Sequence, residues 1–239
     1  MVEFFEKEEN VPTFYFSDGS SLCGNEYVEL TIPPALFDRN RFCAWNWDGV
    51  NLLKESRGVE PYIKTESIQY KVIQALCEED YDIVYDDDNA GEIADVVTVK
   101  KVEDEIHIGL YHLKYAHEGR VTSQIANFYE VCGQAQKSAN WKYKEPEEML
   151  NHLLRREKKR SKNGDECTRI CKGTHEKLVE LLKLAKRKLP VRYSIFIVQP
   201  GVSKKAASDE ILSLLGVTES YLLERTGIEL TVITNEDEQ

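Results

Sequence analysis

The spacing of apolar residues changes between positions 65 and 115, and this change constrains the fold more than any other feature of the chain. Apolar residues recur three and four positions apart over 65–79, which predicts an amphipathic helix capped by Thr65 or Ser67. Strand-like runs follow at residues 81–85, 93–99 and 106–115. One helix followed by three consecutive strands predicts a mixed α/β domain.

The remaining elements place this pattern inside a larger domain. Helical spacing returns over 122–141, and a final strand, helix and strand are predicted at 192–198, from Ser208 to Gly227, and at 228–233. Two further helical segments within 145–190 predict a helical hairpin inserted before the strand at 192–198. We therefore expect a main domain over 65–239 and an N-terminal extension of strands and loops over 1–64, packed on the main domain through its aromatic residues.

Composition and charge indicate where the protein is located and what kind of partner it meets. The N-terminus is acidic, where a signal peptide would be basic, and no apolar run reaches the ~18 residues of a membrane-spanning helix, so we expect a soluble, cytoplasmic protein. The net charge of −11 is unevenly distributed: residues 1–110 carry 24 acidic and 9 basic residues, whereas residues 111–239 carry 18 and 22. A basic C-terminal half favours contact with phosphate groups.

The hairpin predicted between residues 93 and 115 carries the candidate metal-binding and catalytic residues. Asp95 is a carboxylate among apolar residues, and burying it without a partner would be costly. His112 and Lys114 alternate with apolar residues and therefore share one face of the last strand. A carboxylate, a second ligand and a lysine are the groups with which a phosphodiesterase holds a divalent cation and offsets developing charge. The run from Asp86 to Asp88 is interpreted as a solvated turn, of which Asp88 is nearest the site.

The order helix, three strands, helix, strand, with Asp95 on the second strand and Lys114 on the third, resembles the PD-(D/E)xK restriction-endonuclease-like nuclease superfamily. The resemblance covers roughly residues 66–144 and 190–234 and implies an α/β fold with an αβββαβ core. It implies a metal-dependent endonuclease that uses Mg²⁺ or Mn²⁺, with Asp95 as a metal ligand and Lys114 as the catalytic lysine. His112 stands where the family most often has glutamate or aspartate.

Three interpretations of His112 follow from this departure. His112 ligates a transition metal or acts as a base, or Glu92, Asp88 or Glu66 supplies the carboxylate while His112 contacts phosphate. In the third interpretation the site is inactive. Glu66, at the start of the first helix, is a candidate metal ligand, and Gln134, on the helix after the lysine strand, is a candidate contact for the attacking water or a phosphate.

A basic run in the inserted hairpin is the predicted nucleic-acid contact. It comprises Arg155, Arg156, Lys158, Lys159, Arg160 and Lys162. The leading hypothesis is a nuclease that acts on DNA rather than RNA, as an effector of prokaryotic defence, where the similar modules occur alone or joined to helicase or Argonaute-type partners. Such an effector is expected to be restrained until a signal or a partner assembles it, and a homo-oligomer is one of the assemblies considered. The alternative is a catalytically inactive, nuclease-like module that binds nucleic acid or a partner protein.

Overall fold

The chain divides into two compact units, and the division falls between Pro34 and Ala35. A computed structural model describes residues 13–15, 21–28, 36–162 and 168–237. In the first unit, three short strands pair in antiparallel order: β1 (Thr13–Tyr15), β2 (Ser21–Cys23) and β3 (Glu26–Val28). The predicted extension over 1–64 differs from this division, because residues 36–64 belong to the second unit. The rest of the predicted strands and loops before Ala35 lies outside the described ranges.

The second unit is built on a mixed sheet of seven strands. In spatial order they are β4 (Cys43–Trp45), β10 (Leu230–Asn235), β9 (Val191–Ser203), β7 (Glu105–Leu113), β6 (Val96–Val102), β5 (Ile83–Asp86) and β8 (Ile170–Lys172). The first four strands pair in parallel, and the last four pair in antiparallel order. The prediction of a mixed α/β domain is confirmed.

Within the described ranges, five α-helices cover the two faces of this sheet. They are α1 (Ile68–Glu78), α2 (Ala126–Ser138), α3 (Pro146–Lys162), α4 (His175–Lys186) and α5 (Asp209–Thr226). The apolar side of α1 packs on one face of the sheet together with Trp47 and Leu52. The other four helices share the core on the opposite face. Among the described residues, no helix combines the length and the apolar character that crossing a membrane requires.

The predicted helix ends are largely confirmed. Of the two candidate caps of α1, Ser67 is the one used: its Oγ accepts a hydrogen bond from Tyr70 N–H at 3.2 Å. Ser208 caps α5 in the same way, and Gly227 ends it in the left-handed conformation with φ of 63°. The strand predicted to end at residue 198 instead continues to Ser203, because a register irregularity opposite Pro200 accommodates its missing N–H.

The insertion over 145–190 differs from a simple helical hairpin. Between α3 and α4, three residues form β8, which pairs with β5 at the edge of the sheet. A strand of three residues is too short to show alternation in the sequence, so only its pairing with β5 defines it. Gly173 follows this strand with φ of 90°, and a Cβ at this position would clash with the carbonyl oxygen of Asp82.

Candidate functional site

The hairpin of β6 and β7 brings Asp95 and Lys114 to the same end of the sheet. Val96 pairs with Tyr111, so Asp95 precedes the first paired residue of one strand and His112 follows its partner on the other. The Asp95 carboxylate accepts a hydrogen bond from Leu113 N–H, at 2.8 Å to Oδ2. This hydrogen bond from the backbone of β7 fixes the Asp95 carboxylate at the end of that strand.

Three carboxylates converge beside this hairpin. One oxygen from each of Asp88, Glu92 and Asp95 lies within 4.8 Å of the other two; we refer to these residues as the carboxylate trio. Burial raises the pKa of Asp95 well above its usual value, and the charges of Glu92, Glu55 and Asp88 raise it further. Burial and the charge of Asp88 also raise the pKa of Glu92. A divalent cation would relieve this repulsion, and oxygen donors of this kind suit Mg²⁺ or Mn²⁺.

The turn that carries the trio is held by an arginine of the inserted segment. Arg156 of α3 is 9% exposed and forms an ion pair with the fully buried carboxylate of Asp87. Its guanidinium also donates to four backbone carbonyl oxygens, those of Asp87 (2.6 Å), Asp88 (3.2 Å), Asn89 (3.2 Å) and Ala90 (2.9 Å). The prediction that Arg156 contacts phosphate is corrected by this position, because its donors are engaged inside the fold.

A second arginine repeats this arrangement, and the acidic run is not a solvated turn. Arg169, just before β8, donates to the carbonyl oxygens of Asp86 and Asp88 at 3.0 and 2.9 Å. Asp86 is buried and accepts hydrogen bonds from Arg57 at 2.9 Å and Gln69 at 3.1 Å. Asp87 accepts from Ile93 N–H at 2.7 Å, and burial raises the pKa of Asp87 to about 6. Asp86 and Asp87 therefore shape the turn, and Asp88 is the member that joins the trio.

Lys114 is 8% exposed and lies between two carboxylates. Its Nζ is 2.8 Å from Glu130 of α2 and 3.3 Å from Glu55. Burial alone would lower the pKa of Lys114, but Glu130 and Glu55 outweigh it and hold that pKa above its usual value. Sequence reasoning missed Glu55, because it lies in an irregular segment and is recognisable only by its hydrogen bond to Tyr115 N–H and its contact with Lys114.

His112 is buried and neutral. Its Nε2 lies 2.8 Å from Ser138 Oγ, which is also 2.9 Å from the Ala135 carbonyl oxygen; when the hydroxyl donates to that carbonyl, Nε2–H donates to Oγ. Burial lowers the pKa of His112 to about 3. Among the described residues, His112 belongs to no group of three or more histidine, cysteine or carboxylate ligands that lie close enough to share an ion. The trio instead contains Glu92 and Asp88, two of the residues considered as substitutes.

The other candidate residues are dispersed. Glu66 pairs with Lys54 and does not join the trio. Gln134 lines a cavity of about 370 Å³ next to His112, and its buried Oε1 has no hydrogen-bond partner among the described residues. Arg155, Lys158 and Lys159 are exposed on α3 and remain available to a ligand. Arg160 and Lys162 belong to the last turn of α3, where the side chains lie outside the described part of the chain.

Comparison with known proteins identified no relative of this chain. No protein-family model matches the chain, and no match was found among curated proteins or solved structures.

Proposed function

We propose that the protein is a divalent-metal-dependent nuclease that hydrolyses phosphodiester bonds in DNA. The observation that carries the proposal is the convergence of Asp88, Glu92 and Asp95 at the end of the hairpin that also bears Lys114. The order α1, β5, β6, β7, α2 and β9 supports assigning the second unit to the restriction-endonuclease-like fold. A role as an effector of prokaryotic defence, with a helicase or Argonaute-type partner, rests on resemblance.

The residues of the trio fit a hard cation. Three carboxylate oxygens within 4.8 Å of one another repel, and the raised pKa of Asp95 follows chiefly from its burial and then from this repulsion. Asp88, Glu92 and Asp95 would hold Mg²⁺ or Mn²⁺, which would supply positive charge beside the scissile phosphate and lower the pKa of bound water.

The chain's own groups would divide the remaining work. The Lys114 ammonium would lie beside the phosphate and offset the negative charge that develops on it. Glu55 and Glu130 position Lys114 and keep it protonated. His112 would stay neutral at physiological pH and support α2 through Ser138 rather than bind the cation. Arg155, Lys158 and Lys159 would contact the phosphate backbone away from the cut.

A second candidate function is a catalytically inactive module that binds nucleic acid or a partner protein. The observation that favours it is the engagement of Lys114 by two carboxylates, since each ion pair reduces the charge that it can offer to a phosphate. The two functions predict opposite results in a cleavage assay.

The test is cleavage of plasmid, linear and single-stranded DNA in Mg²⁺, Mn²⁺ or EDTA. The proposal expects wild-type protein to cut with one of the metals and Lys114→Ala and Asp95→Asn to lose about 100-fold or more in rate. Lys101→Ala is the matched control, because Lys101 is exposed on the same hairpin. If wild-type protein and Lys114→Ala leave every DNA equally intact while both bind it, the inactive module is the correct function.

A further inference from the structure

A cavity lies beside the carboxylate trio, between the end of β7 and the last turns of α2. Its volume is about 370 Å³, within the range of small-ligand sites, and we call it the α2 cavity. Besides His112 and Ser138, its polar and aromatic lining includes Glu92, Gln134, Lys137, Asn140, Trp141 and Lys144. Glu92 belongs to both the cavity and the trio, so a ligand in the cavity would lie next to the proposed metal site.

The lining of the α2 cavity is complementary to a flat, polar ligand that carries hydrogen-bond donors. Within the described part of the chain the buried Oε1 of Gln134 has no hydrogen-bond partner, and such an atom is costly unless a ligand or a water molecule donates to it. Asn140 adds a second amide, which can donate and accept at the edge of a ring. Trp141 supplies the aromatic surface on which a planar ring can stack.

The charges of the α2 cavity favour a ligand that also carries a phosphate. Lys137 and Lys144 outnumber Glu92, its one carboxylate. The Lys144 ammonium lies 3.8 Å from the centre of the Trp141 ring and thus covers the indole. A stacked ring would replace this ammonium, and because Lys144 is exposed it can then turn to a phosphate oxygen.

We propose that the α2 cavity binds one unpaired nucleobase of a single-stranded substrate, stacked on Trp141 and donating to Gln134. This inference rests on the proposed nuclease function and names its substrate class. A base in a duplex has its edge paired and its faces stacked, so it could enter the cavity only after extrusion from the helix. Single-stranded nucleic acid presents the base without that cost, and stacking on an aromatic side chain accepts any base.

The test measures binding of short, fluorescently labelled DNA strands by anisotropy in EDTA, so that no strand is cut. Four probes are compared: a single strand, the same strand with abasic sites, the duplex of the same sequence, and unlabelled nucleoside monophosphates as competitors. The single strand should bind more tightly than the duplex. Abasic sites should weaken binding by about 5- to 150-fold although every phosphate is retained.

Two variants locate the effect in the α2 cavity. Gln134→Ala and Trp141→Leu should each weaken binding of the intact strand and leave binding of the abasic strand unchanged. Gln74→Ala is the matched control, since Gln74 is exposed on α1 at the other face of the sheet. Gln134→Ala keeps the proposal testable if Trp141→Leu fails to fold.

The outcomes separate this inference from the nuclease proposal. If intact and abasic strands bind equally, or both variants bind the intact strand as wild type does, the nucleobase site is refuted even when DNA is cut in Mn²⁺. If binding depends on bases and on Gln134 but no DNA is cut, the site stands and the nuclease proposal fails. Binding of monophosphates without binding of strands would assign the cavity to free nucleotides and overturn the inference.

Discussion

Removing the guanidinium of Arg156 should destabilise the protein more than any other change to the basic residues of α3. Arg156→Met retains an unbranched side chain of similar length. It leaves the buried carboxylate of Asp87 without this ion pair, and among the described contacts it leaves the carbonyl oxygens of Asp87 and Ala90 without a donor. The carbonyl oxygens of Asp88 and Asn89 keep a donor in Arg169 and in Glu92 N–H. Breaking a buried ion pair from one side costs about 3–5 kcal/mol. For a chain of 239 residues this corresponds to a fall in Tm of about 6–20 °C.

The pH dependence of this loss follows from Asp87. The pKa of Asp87 in the folded protein is about 6, above its ordinary value of 3.8, so the folded state holds this proton more tightly than the unfolded chain. The contribution of Asp87 to stability is therefore fully present below pH 3.8 and is lost as the pH rises through 6. At pH 5 a protonated Asp87 needs no counter-charge, so the cost of Arg156→Met should shrink by the ion-pair part and leave the cost of the two carbonyl groups that lose their donor.

The assay is urea unfolding followed by circular dichroism at pH 5 and pH 7.5. Arg155→Met is the matched control: Arg155 is the exposed neighbour, bonded only within α3 among the described contacts, and its change should stay within about 0.5 kcal/mol. Asp87→Asn combined with Arg156→Met should recover part of the loss at pH 7.5. An equal loss at both pH values, or an equal loss in both arginine variants, would refute the reasoning.

Three further perturbations test other parts of the structure. Mn²⁺ at about 100 times its dissociation constant should stabilise wild-type protein by about 2.7 kcal/mol in a thermal shift assay. Asp95→Asn retains an acceptor for Leu113 N–H but should lose most of this stabilisation. An equal stabilisation of both proteins would place the ion elsewhere. The pKa of His112 is about 3 in the folded protein and 6.5 in the unfolded chain, so the free energy of unfolding should fall as the pH drops from 6.5 towards 3. In urea unfolding at several pH values, His112→Gln should make the free energy of unfolding less dependent on pH over this range. An unchanged pH dependence would contradict a buried, neutral His112. Gly173→Ala should cost about 1–3 kcal/mol in urea unfolding, because φ is 90° and a Cβ would strike the Asp82 carbonyl; a neutral change would show that this turn relaxes.

The main elements of the second unit were predictable because each is long enough to show its period. The helix capped by Ser67 and the strands around Asp95 and Lys114 fall where apolar spacing indicates them. The alternation of side chains along β7 also places His112 and Lys114 on the side that faces α2, as their contacts with Ser138 and Glu130 show.

The missing parts depend on contacts between distant segments. Glu55 reaches Lys114 from an irregular segment, and no local pattern marks it. In the sequence, Arg156 is one of several basic residues in a run that predicts an exposed surface. Only the fold brings it to the buried Asp87. Strands of three residues such as β4 and β8 have too little sequence to show a period, so pairing with a longer neighbour defines them.

The pairing of β4 with β10 sets an order of events during synthesis. Within the described part of the chain, β4 pairs with β10 alone, and the Trp47 indole N–H donates to the Thr234 carbonyl oxygen at 3.0 Å. Residues 43–52 can therefore reach their final packing only after the ribosome has produced residue 235. Until then, the apolar side chains of Trp47 and Leu52 lack part of the surface that buries them, and transiently exposed apolar surface of this kind favours aggregation.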